Sequence, residues 1–241
     1  MARLSNETLL DIANSRDLEV CNIEDYVNLQ SELVFKCRKC GKPLISSFEN
    51  IRNENWTCPI CNVQEVKYVG KPPQKSGYRI LGCDQATQKF GISVFDDGKL
   101  VYFDCIEFQG ELDARYASIY SFMDKVLKHW EPDLVVIEDI QLQQGTTGGY
   151  NAFKVLGGLL GIMKAVIAKH KIPHKEVLNK VWQAKFMISG KDRMTQKRNV
   201  VKKVHDLFNI DVSDDIADAI LIGKWASIER AKSVASVKKL F

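Results

Sequence analysis

Two Cys-x-x-Cys pairs constrain the first third of the chain more than any other feature of the sequence. Cys37 and Cys40 form one pair, Cys58 and Cys61 form the other, and 17 residues lie between them. Two such pairs can surround one ion as a tetrahedral site, whereas a redox motif uses a single pair and a disulfide needs an oxidising compartment. We therefore predict one structural Zn²⁺ bound by these four thiolates, in a site with no open coordination position for chemistry.

The segment Val69–Gly77 (VGKPPQKSG) is the clearest boundary, because its two prolines oppose both a helix and a central strand. The sequence thus predicts a zinc-binding module at residues 1–69, a linker at 70–77 and a larger domain at 78–241. The three cysteines without metal-site spacing are expected to be buried small apolar residues. They are Cys21, Cys83 and Cys105.

Strands and helices alternate after the linker. The predicted strands are 78–83, 91–95, 100–108, 134–138 and 172–177, and the predicted helices are about 115–130, 150–170, 195–208 and 215–233. An Asp-Gly turn at residues 97–98 is typical of a tight hairpin between the second and third strands. Three antiparallel strands followed by alternating helices and strands indicate an α/β fold with a mixed sheet flanked by helices.

Four carboxylates occupy unusual positions in this pattern. Asp84 and Glu138 each stand at the end of an apolar strand, while Asp215 and Asp218 lie three residues apart on one face of an apolar helix. Each alone has an ordinary explanation, as a turn cap, a salt-bridge partner or a helix N-terminal acid. Together they would form an oxygen-rich site suited to two hard divalent ions such as Mg²⁺. Their neighbours Asp139 and Asp214 are expected to face away and to be secondary.

The order of these motifs resembles the RuvC family of Holliday-junction resolvases. The likeness rests on Leu81–Thr87 (LGCDQAT), Val135–Glu138 (VVIE) and Asp215–Ile220 (DIADAI), and it runs from about residue 78 to 226. The resemblance implies a ribonuclease-H-like fold, preceded here by the small zinc-binding domain. It also implies a homodimer that cuts two symmetry-related strands of a four-way DNA junction.

Carried over residue by residue, the resemblance assigns the catalytic residues of a crossover junction endonuclease. They are Asp84, Glu138, Asp215 and Asp218, and they would bind two Mg²⁺ (or Mn²⁺) ions. The reaction would leave 5′-phosphate and 3′-hydroxyl ends. The family often has an aromatic residue shortly after the glutamate, where this chain has Gln141, with Tyr150 and Phe153 farther along.

The formal net charge of +4 is unevenly distributed along the chain. Residues 1–76 carry 10 basic and 10 acidic side chains, residues 77–160 carry 7 and 12, and residues 161–241 carry 17 and 8. A solvated helix face would account for the basic run at 175–205, but beside the carboxylates phosphate binding is the better interpretation. The predicted DNA-contacting residues are Lys185, Lys191, Arg193 and Lys197, and Thr195 is predicted to cap the following helix.

The segment from Tyr26 to Cys61 resembles the small zinc modules appended to phage and homing endonucleases. This likeness implies a phage-type protein and an accessory role in DNA binding. The basic residues that could contact phosphates are Arg38, Lys39, Lys42 and Arg52. The alternative is a zinc-stapled packing or protein-contact module, which the zero net charge of residues 1–76 favours.

Two glycine-rich segments concern assembly and the surroundings of the site. Gly157, Gly158 and Gly161 leave one helix face small, for internal packing or, as in the resembled family, for the dimer interface. The polar loop at 143–149 is expected to be mobile and to become ordered on DNA. Because no apolar run reaches the roughly 18 residues of a membrane span, we expect a cytoplasmic protein of a bacterial or phage-infected cell.

Three other functions stay open from the residues. One is a broader nuclease acting on forks and flaps, and another is a non-catalytic DNA-binding protein on the same fold. The four intact carboxylates oppose the latter. The third is a relative of actin-like ATPases, whose first phosphate-binding hairpin resembles the hairpin after Asp84. Such an ATPase needs a second glycine-rich phosphate hairpin and an adenosine-binding segment, and we find neither in the sequence.

Overall fold

A computed structural model describes residues 4–54, 56–61, 72, 74–140 and 149–238. The chain falls into two units, one formed by residues 1–65 with 109–118 and the other by residues 66–108 with 119–241. Residues 62–71 and 73 lie outside the described part, so the predicted module, linker and domain boundaries stay predictions. The same holds for Gln141 and for the predicted mobile loop, of which only Gly149 is described.

The first unit contains a small antiparallel sheet that the sequence analysis did not predict. Its elements are α1 (Asn6–Ser15), β1 (Leu18–Val20), a 3₁₀ turn (Ile23–Asp25), β2 (Glu32–Cys37), β3 (Pro43–Ser47) and α2 (Phe48–Ile51). The strands lie in the order β1-β2-β3. The core includes Leu9, Leu33 and Phe35 together with Cys37 and Cys58. Two predicted zinc ligands thus belong to the core, as is typical of units too small to be stable on apolar burial alone.

The second unit is built around a five-stranded mixed sheet. Its elements are β4 (Arg79–Gln85), β5 (Lys89–Asp96), β6 (Lys99–Glu107), residues 119–130 of α3 (Leu112–Trp130), β7 (Leu134–Glu138), α4 (Gly149–Lys169), β8 (His174–Val177), α5 (Asn179–Lys185), α6 (Arg193–Phe208) and α7 (Asp214–Lys238). The strand order is β6-β5-β4-β7-β8. Strands β4, β5 and β6 pair antiparallel, while β7 pairs parallel with both β4 and β8. The predicted α/β fold with a mixed sheet is confirmed, but helix α5 was not predicted.

Helix α7 packs closely on one face of the sheet because small residues lie on both sides of the contact. A Cβ added at Gly82 would lie 2.6 Å from the backbone nitrogen of Gly223, and one added at Gly223 would lie 2.6 Å from Ser93 Oγ. Ser93 donates a hydrogen bond to the carbonyl of Ala219, 2.7 Å away. These contacts bring the helix backbone close to the two central antiparallel strands, which fixes where the first turns of α7 lie.

Helix α4 is the one helix in the described ranges with the length and composition to cross a membrane. That finding is weak, because core helices of soluble proteins share these properties. Leu159, Met163 and Ile167 are buried on one side of the helix, and Lys164 pairs with Glu176 of β8 at 2.7 Å. Among the described residues, a Cβ at Gly161 would meet nothing within 4 Å, whereas one at Gly157 would lie in ordinary contact with the side chain of Ile140, 3.8 Å away.

Candidate functional site

The two central parallel strands place Asp84 and Glu138 side by side. Cys83 of β4 is aligned with Ile137 of β7, so the next residue on each strand is one of the two carboxylates. Gly82 lies two residues before Asp84, and a side chain there would contact the α7 backbone. Val136 lies two residues before Glu138 and belongs to the core cluster that contains α7. Both residues therefore lie on the face of the sheet that α7 covers. Because side chains alternate along a strand, both carboxylates point to the α7 face.

Helix α7 brings the other two predicted ligands to the same face. Gly91 of β5 lies opposite Asp84 in the sheet, and a Cβ at Gly91 would lie 2.3 Å from the backbone oxygen of Asp215. The first turn of α7 therefore crosses directly over the strand that borders Asp84. Asp218 follows on the next turn, and all four predicted carboxylates remain partly exposed, which leaves them accessible to ions.

Replacing Gly91 by alanine is expected to move the first turn of α7 away from the sheet. The added methyl group meets backbone, which cannot turn aside as a side chain can, so we expect a loss of about 1–3 kcal/mol in the free energy of unfolding. The rate of DNA cleavage should fall by more than the loss of folded protein explains, because Asp215 and Asp218 move with the helix. Ile92→Val is the control, since it loosens the opposite face of the same strand. Equal cleavage by both variants under native conditions would contradict this positioning.

The four carboxylates repel one another electrostatically. Burial raises the pKa of Asp84 well above its usual range, and the charges of Asp218, Glu138 and Asp215 raise it further. Burial also raises the pKa of Glu138 to about 7. The pKa of Asp218 likewise rises to about 7, through burial and then through the charge of Glu138. In the absence of a cation, the site therefore holds less negative charge at neutral pH than its residues would carry in water.

Lys197, one of the predicted DNA-contacting residues, lies beside this acidic cluster. Its ammonium donates a hydrogen bond to the carboxylate of Asp214, and its charge lowers the pKa of both Asp84 and Asp218. The side chain is 35% exposed. Asp214, expected to be secondary, thus holds the cation that faces the carboxylates.

The stability of the protein without added Mg²⁺ is expected to fall as pH rises from about 5 to 7.5. A carboxyl with a raised pKa stabilises the fold fully below its unfolded value of about 4, and this contribution is lost as pH rises through about 7. Mg²⁺ should raise the melting temperature more at pH 7.5 than at pH 5, because it competes with protons for these groups. Asp218→Asn should flatten the profile. A melting temperature that rises over this interval would contradict the assigned pKa directions.

The donor set fits hard divalent cations. Carboxylate oxygens are the preferred ligands of Mg²⁺, and Lys197, which is shared with Asp214, offsets only part of the charge. Among the described residues, the four cysteines are the group of potential metal ligands whose donor atoms all lie within 4.8 Å of one another. The four carboxylates are not as close together as this in the described part of the chain.

The cysteine cluster has the geometry of a tetrahedral thiolate site. The sulfurs of Cys37, Cys40, Cys58 and Cys61 all lie within 4.8 Å of one another, and Cys37 Sγ is 3.5 Å from Cys61 Sγ. A tetrahedral zinc site with Zn–S bonds of about 2.3 Å requires sulfurs separated by about 3.8 Å. Gly41, at φ +68°, makes the turn after the first pair, as its position in the sequence indicated.

The four thiols cannot all ionise without a cation. Burial raises the pKa of Cys37, but hydrogen bonds from the backbone N–H groups of Cys40 and Lys39 outweigh this effect and lower the pKa to about 7. Burial raises the pKa of Cys58, and the neighbouring sulfur of Cys40 raises the pKa of Cys61. Binding of a zinc ion would remove this competition for protons, because all four ligands would then be thiolates.

The predicted DNA-contacting segment lies on α5, on α6 and on the connection between them. Lys185, Lys191 and Arg193 are exposed, so they are available to phosphates. Arg193 opens helix α6, and the cap of that helix is Asp192, whose carboxylate accepts the N–H of Thr195 at 2.8 Å. The prediction that Thr195 is the cap was therefore wrong, because a carboxylate one turn earlier already satisfies the free N–H groups.

Basic side chains of the first unit are mostly engaged by their neighbours. Lys39 pairs with Asp17 at 2.9 Å, Arg52 with Glu49 at 3.4 Å, and Arg38 donates to Asn14 at 2.7 Å. These contacts do not favour a phosphate-binding surface.

The prediction of three buried cysteines outside the cluster is confirmed for Cys83, whereas Cys105 is partly buried and Cys21 is exposed. Cys21 follows a three-residue strand, which is too short to bury it.

Two residues beside Glu138 were missed by the sequence analysis. Gln85 donates a hydrogen bond from its side-chain amide to the backbone carbonyl of Glu138. The buried indole N–H of Trp182 lies near the Glu138 carboxylate and counteracts the rise in its pKa, but not in ordinary hydrogen-bonding geometry. Trp182 lies on α5, and a seven-residue helix carries too little periodicity to be found from the sequence.

Comparisons with known proteins show the family of the chain. Residues 80–223 match the family described as crossover junction endodeoxyribonuclease RuvC. The sequence is 25% identical over 152 residues to the protein of that description from Thermomicrobium roseum, and the alignment covers 60% of this chain and 89% of the relative.

Two solved structures have a similar fold. One is T. thermophilus RuvC in complex with Holliday junction substrate, with a TM-score of 0.52 at 15% identity, covering 64% of this chain and 96% of that chain. The other is a Thermus thermophilus RuvC structure, with a TM-score of 0.50 at 19% identity and the same coverage. At these identities, the structural likeness concerns the fold alone.

Proposed function

The chain belongs to the RuvC family of crossover junction endodeoxyribonucleases, and we propose that it cleaves four-way DNA junctions by metal-dependent phosphodiester hydrolysis. The observation that carries the proposal is the convergence of four carboxylates from two strands and a helix. Asp84 stands at the centre of this group, since the charges of Glu138, Asp215 and Asp218 all act on it. A protein that only bound DNA would gain nothing from concentrating negative charge where phosphates must approach.

The proposed site uses each carboxylate to hold one or both of two Mg²⁺ ions. When bound, such ions would supply an activated water and would stabilise the leaving oxygen of a phosphodiester displacement. Asp84 is in the best position to be shared, because it lies between Glu138 on β7 and the first turns of α7. Lys197, held by Asp214, limits the repulsion between the carboxylates and an incoming phosphate.

We further propose that the protein acts as a homodimer. Two symmetric cuts require two active sites, and the exposed side of α4 offers a surface for self-association. Gly161 has open space around it, Tyr150 at the start of the helix is 66% exposed, and Ala165 and Ala168 are exposed as well. Small residues of this kind allow two helices to approach closely.

The zinc cluster is proposed to organise the first unit rather than to take part in cleavage. A site with four thiolates leaves no coordination position for a substrate. A direct role of this unit in binding DNA has less support, because three of its four candidate basic residues are held by neighbours.

Replacing Lys191 and Arg193 by alanine is expected to weaken binding to all DNA forms about equally. Each lost phosphate contact reduces the dependence of log K on log salt by about 0.9, so the double variant should lose nearly two units of slope. Fluorescence anisotropy with a four-way junction at several salt concentrations measures both quantities. Lys128→Ala, which removes a lysine paired with Asp124 on α3, is the control. An unchanged slope in the double variant would remove these residues from the interface.

Cleavage of a matched set of DNA substrates tests the proposed function. The set contains a four-way junction, a fork, a flap and a linear duplex with the same arm sequences, each incubated with Mg²⁺ or with EDTA. We expect Mg²⁺-dependent cuts at symmetric positions in the four-way junction and little cleavage of the duplex. Equal cleavage of the fork and flap would favour a broader branched-DNA nuclease, and no cleavage of any substrate would overturn the proposal.

A further inference from the structure

Trp182 carries a buried hydrogen-bond donor with no partner in the described part of the chain. The side chain is 1% exposed, and its indole Nε1 is one of a few buried polar atoms without a hydrogen bond. A buried, unsatisfied N–H destabilises the folded state, so its retention calls for an explanation.

The position of Trp182 relates it to Glu138. Val177 at the end of β8 is aligned with Glu138, and α5 begins two residues after that strand. Trp182 then packs into the same core cluster as Val136 and Ile220, on the face of the sheet toward which Glu138 points. The indole N–H faces the Glu138 carboxylate closely enough to influence its pKa, although the two do not form a well-aligned hydrogen bond.

Glu138 is fixed through its backbone but not through its carboxylate. Gln85 donates a hydrogen bond to its backbone carbonyl, and no hydrogen bond to the carboxylate itself occurs among the described residues apart from the approach of Trp182. A carboxylate with free torsions must lose that freedom when it binds a cation. A hydrogen-bond donor directed at the carboxylate oxygen that does not bind the cation would reduce this loss of conformational freedom.

We propose that Trp182 is a positioning residue that donates its indole N–H to Glu138 when a divalent cation occupies the carboxylate site. This inference rests on the proposed function, since it assumes that Glu138 is a metal ligand. Partners of metal-binding carboxylates and imidazoles typically contribute about 10–100-fold to metal affinity. Trp182 would thus favour the orientation of Glu138 that binds the ion, without touching the ion or the DNA.

The test is the indole N–H signal of Trp182 during a titration with Mg²⁺ alone. The protein has four tryptophans, and in ¹⁵N-labelled protein each indole gives one resonance that a Trp→Phe variant assigns. We expect the Trp182 signal to shift downfield as Mg²⁺ binds, because a charge-assisted hydrogen bond forms, and to stay in place in Glu138→Gln. Trp130 is the matched control, since its buried Nε1 also lacks a partner but lies on α3.

Cleavage as a function of Mg²⁺ concentration gives a second readout. Trp182→Phe keeps an aromatic ring in the core and should raise the Mg²⁺ concentration for half-maximal cleavage about 10-fold or more, with a smaller loss at saturation. Trp130→Phe should leave that concentration unchanged. If Mg²⁺ stabilises the protein but the Trp182 resonance does not move, the inference fails while the proposed function stands. If Mg²⁺ neither stabilises the protein nor supports cleavage, both fail.

Discussion

Replacement of Asp84 by asparagine is expected to reduce cleavage of a four-way junction by at least about three orders of magnitude. The amide keeps the size of the side chain but removes the charge that two cations would share. Because Asp84 is surrounded by the negative charges of Glu138, Asp215 and Asp218, the variant should also unfold at a higher temperature than the wild type when no Mg²⁺ is added. Junction binding should persist, since the lost charge repels phosphate.

The control for Asp84→Asn is Asp139→Asn, which removes a carboxylate next to Glu138 in the chain. Asp139 follows β7, and its backbone N–H bonds to Val177, so it continues the strand pairing with its side chain on the other face. Cleavage should stay within a few-fold of the wild type. Single-turnover rates at saturating protein separate the chemical step from binding. Substantial cleavage by Asp84→Asn would reject the carboxylate assignment, whatever the behaviour of the control.

Replacement of Cys58 by serine is expected to unfold the first unit. Cys58 is buried in the core of that unit, and its sulfur is one of four that converge on one point. A structural zinc ion contributes roughly 10 kcal/mol or more to the stability of a small domain, which exceeds what a core of this size supplies. Elemental analysis should find one zinc per wild-type chain and less in the variant. Hydrogen exchange should show loss of protection across β1–β3.

The control for this experiment is Cys21→Ser. Cys21 is exposed and lies outside the cluster, so zinc content and protection should match the wild type. In both variants, the amides of β4, β5 and β7 should keep their protection if the second unit folds by itself. A Cys58→Ser protein that retained one zinc ion and a protected β2 would show that the cluster does not organise the unit.

The parts of the fold that could be predicted are those with a clear local sequence pattern. The strand that ends near Asp84, the apolar strand that ends at Glu138 and the helix that begins near Asp215 all lie where expected. The spacing of the four cysteines likewise predicted one cluster, because a tetrahedral ion leaves few alternatives. These features depend on residues close together in the sequence or on a strict ligand geometry.

The rest depends on contacts that no local pattern reveals. Lys197 belongs to a basic run, and its pairing with Asp214 follows only from the position of the start of α7. Trp182 lies on a helix that was not predicted, and its relation to Glu138 follows from the parallel alignment of β7 and β8. The small sheet of the first unit was missed because short strands with few alternating residues give a weak signal.

The most direct test of the central claim is the product formed from a supercoiled plasmid that extrudes a cruciform. A dimeric resolvase with two carboxylate sites should cut both strands across the four-way junction before it dissociates. We therefore expect Mg²⁺-dependent linear DNA with ligatable 5′-phosphate ends at symmetric positions, and no linear DNA with Asp84→Asn. Accumulation of nicked circles alone, or linear product of equal yield from Asp84→Asn, would contradict it.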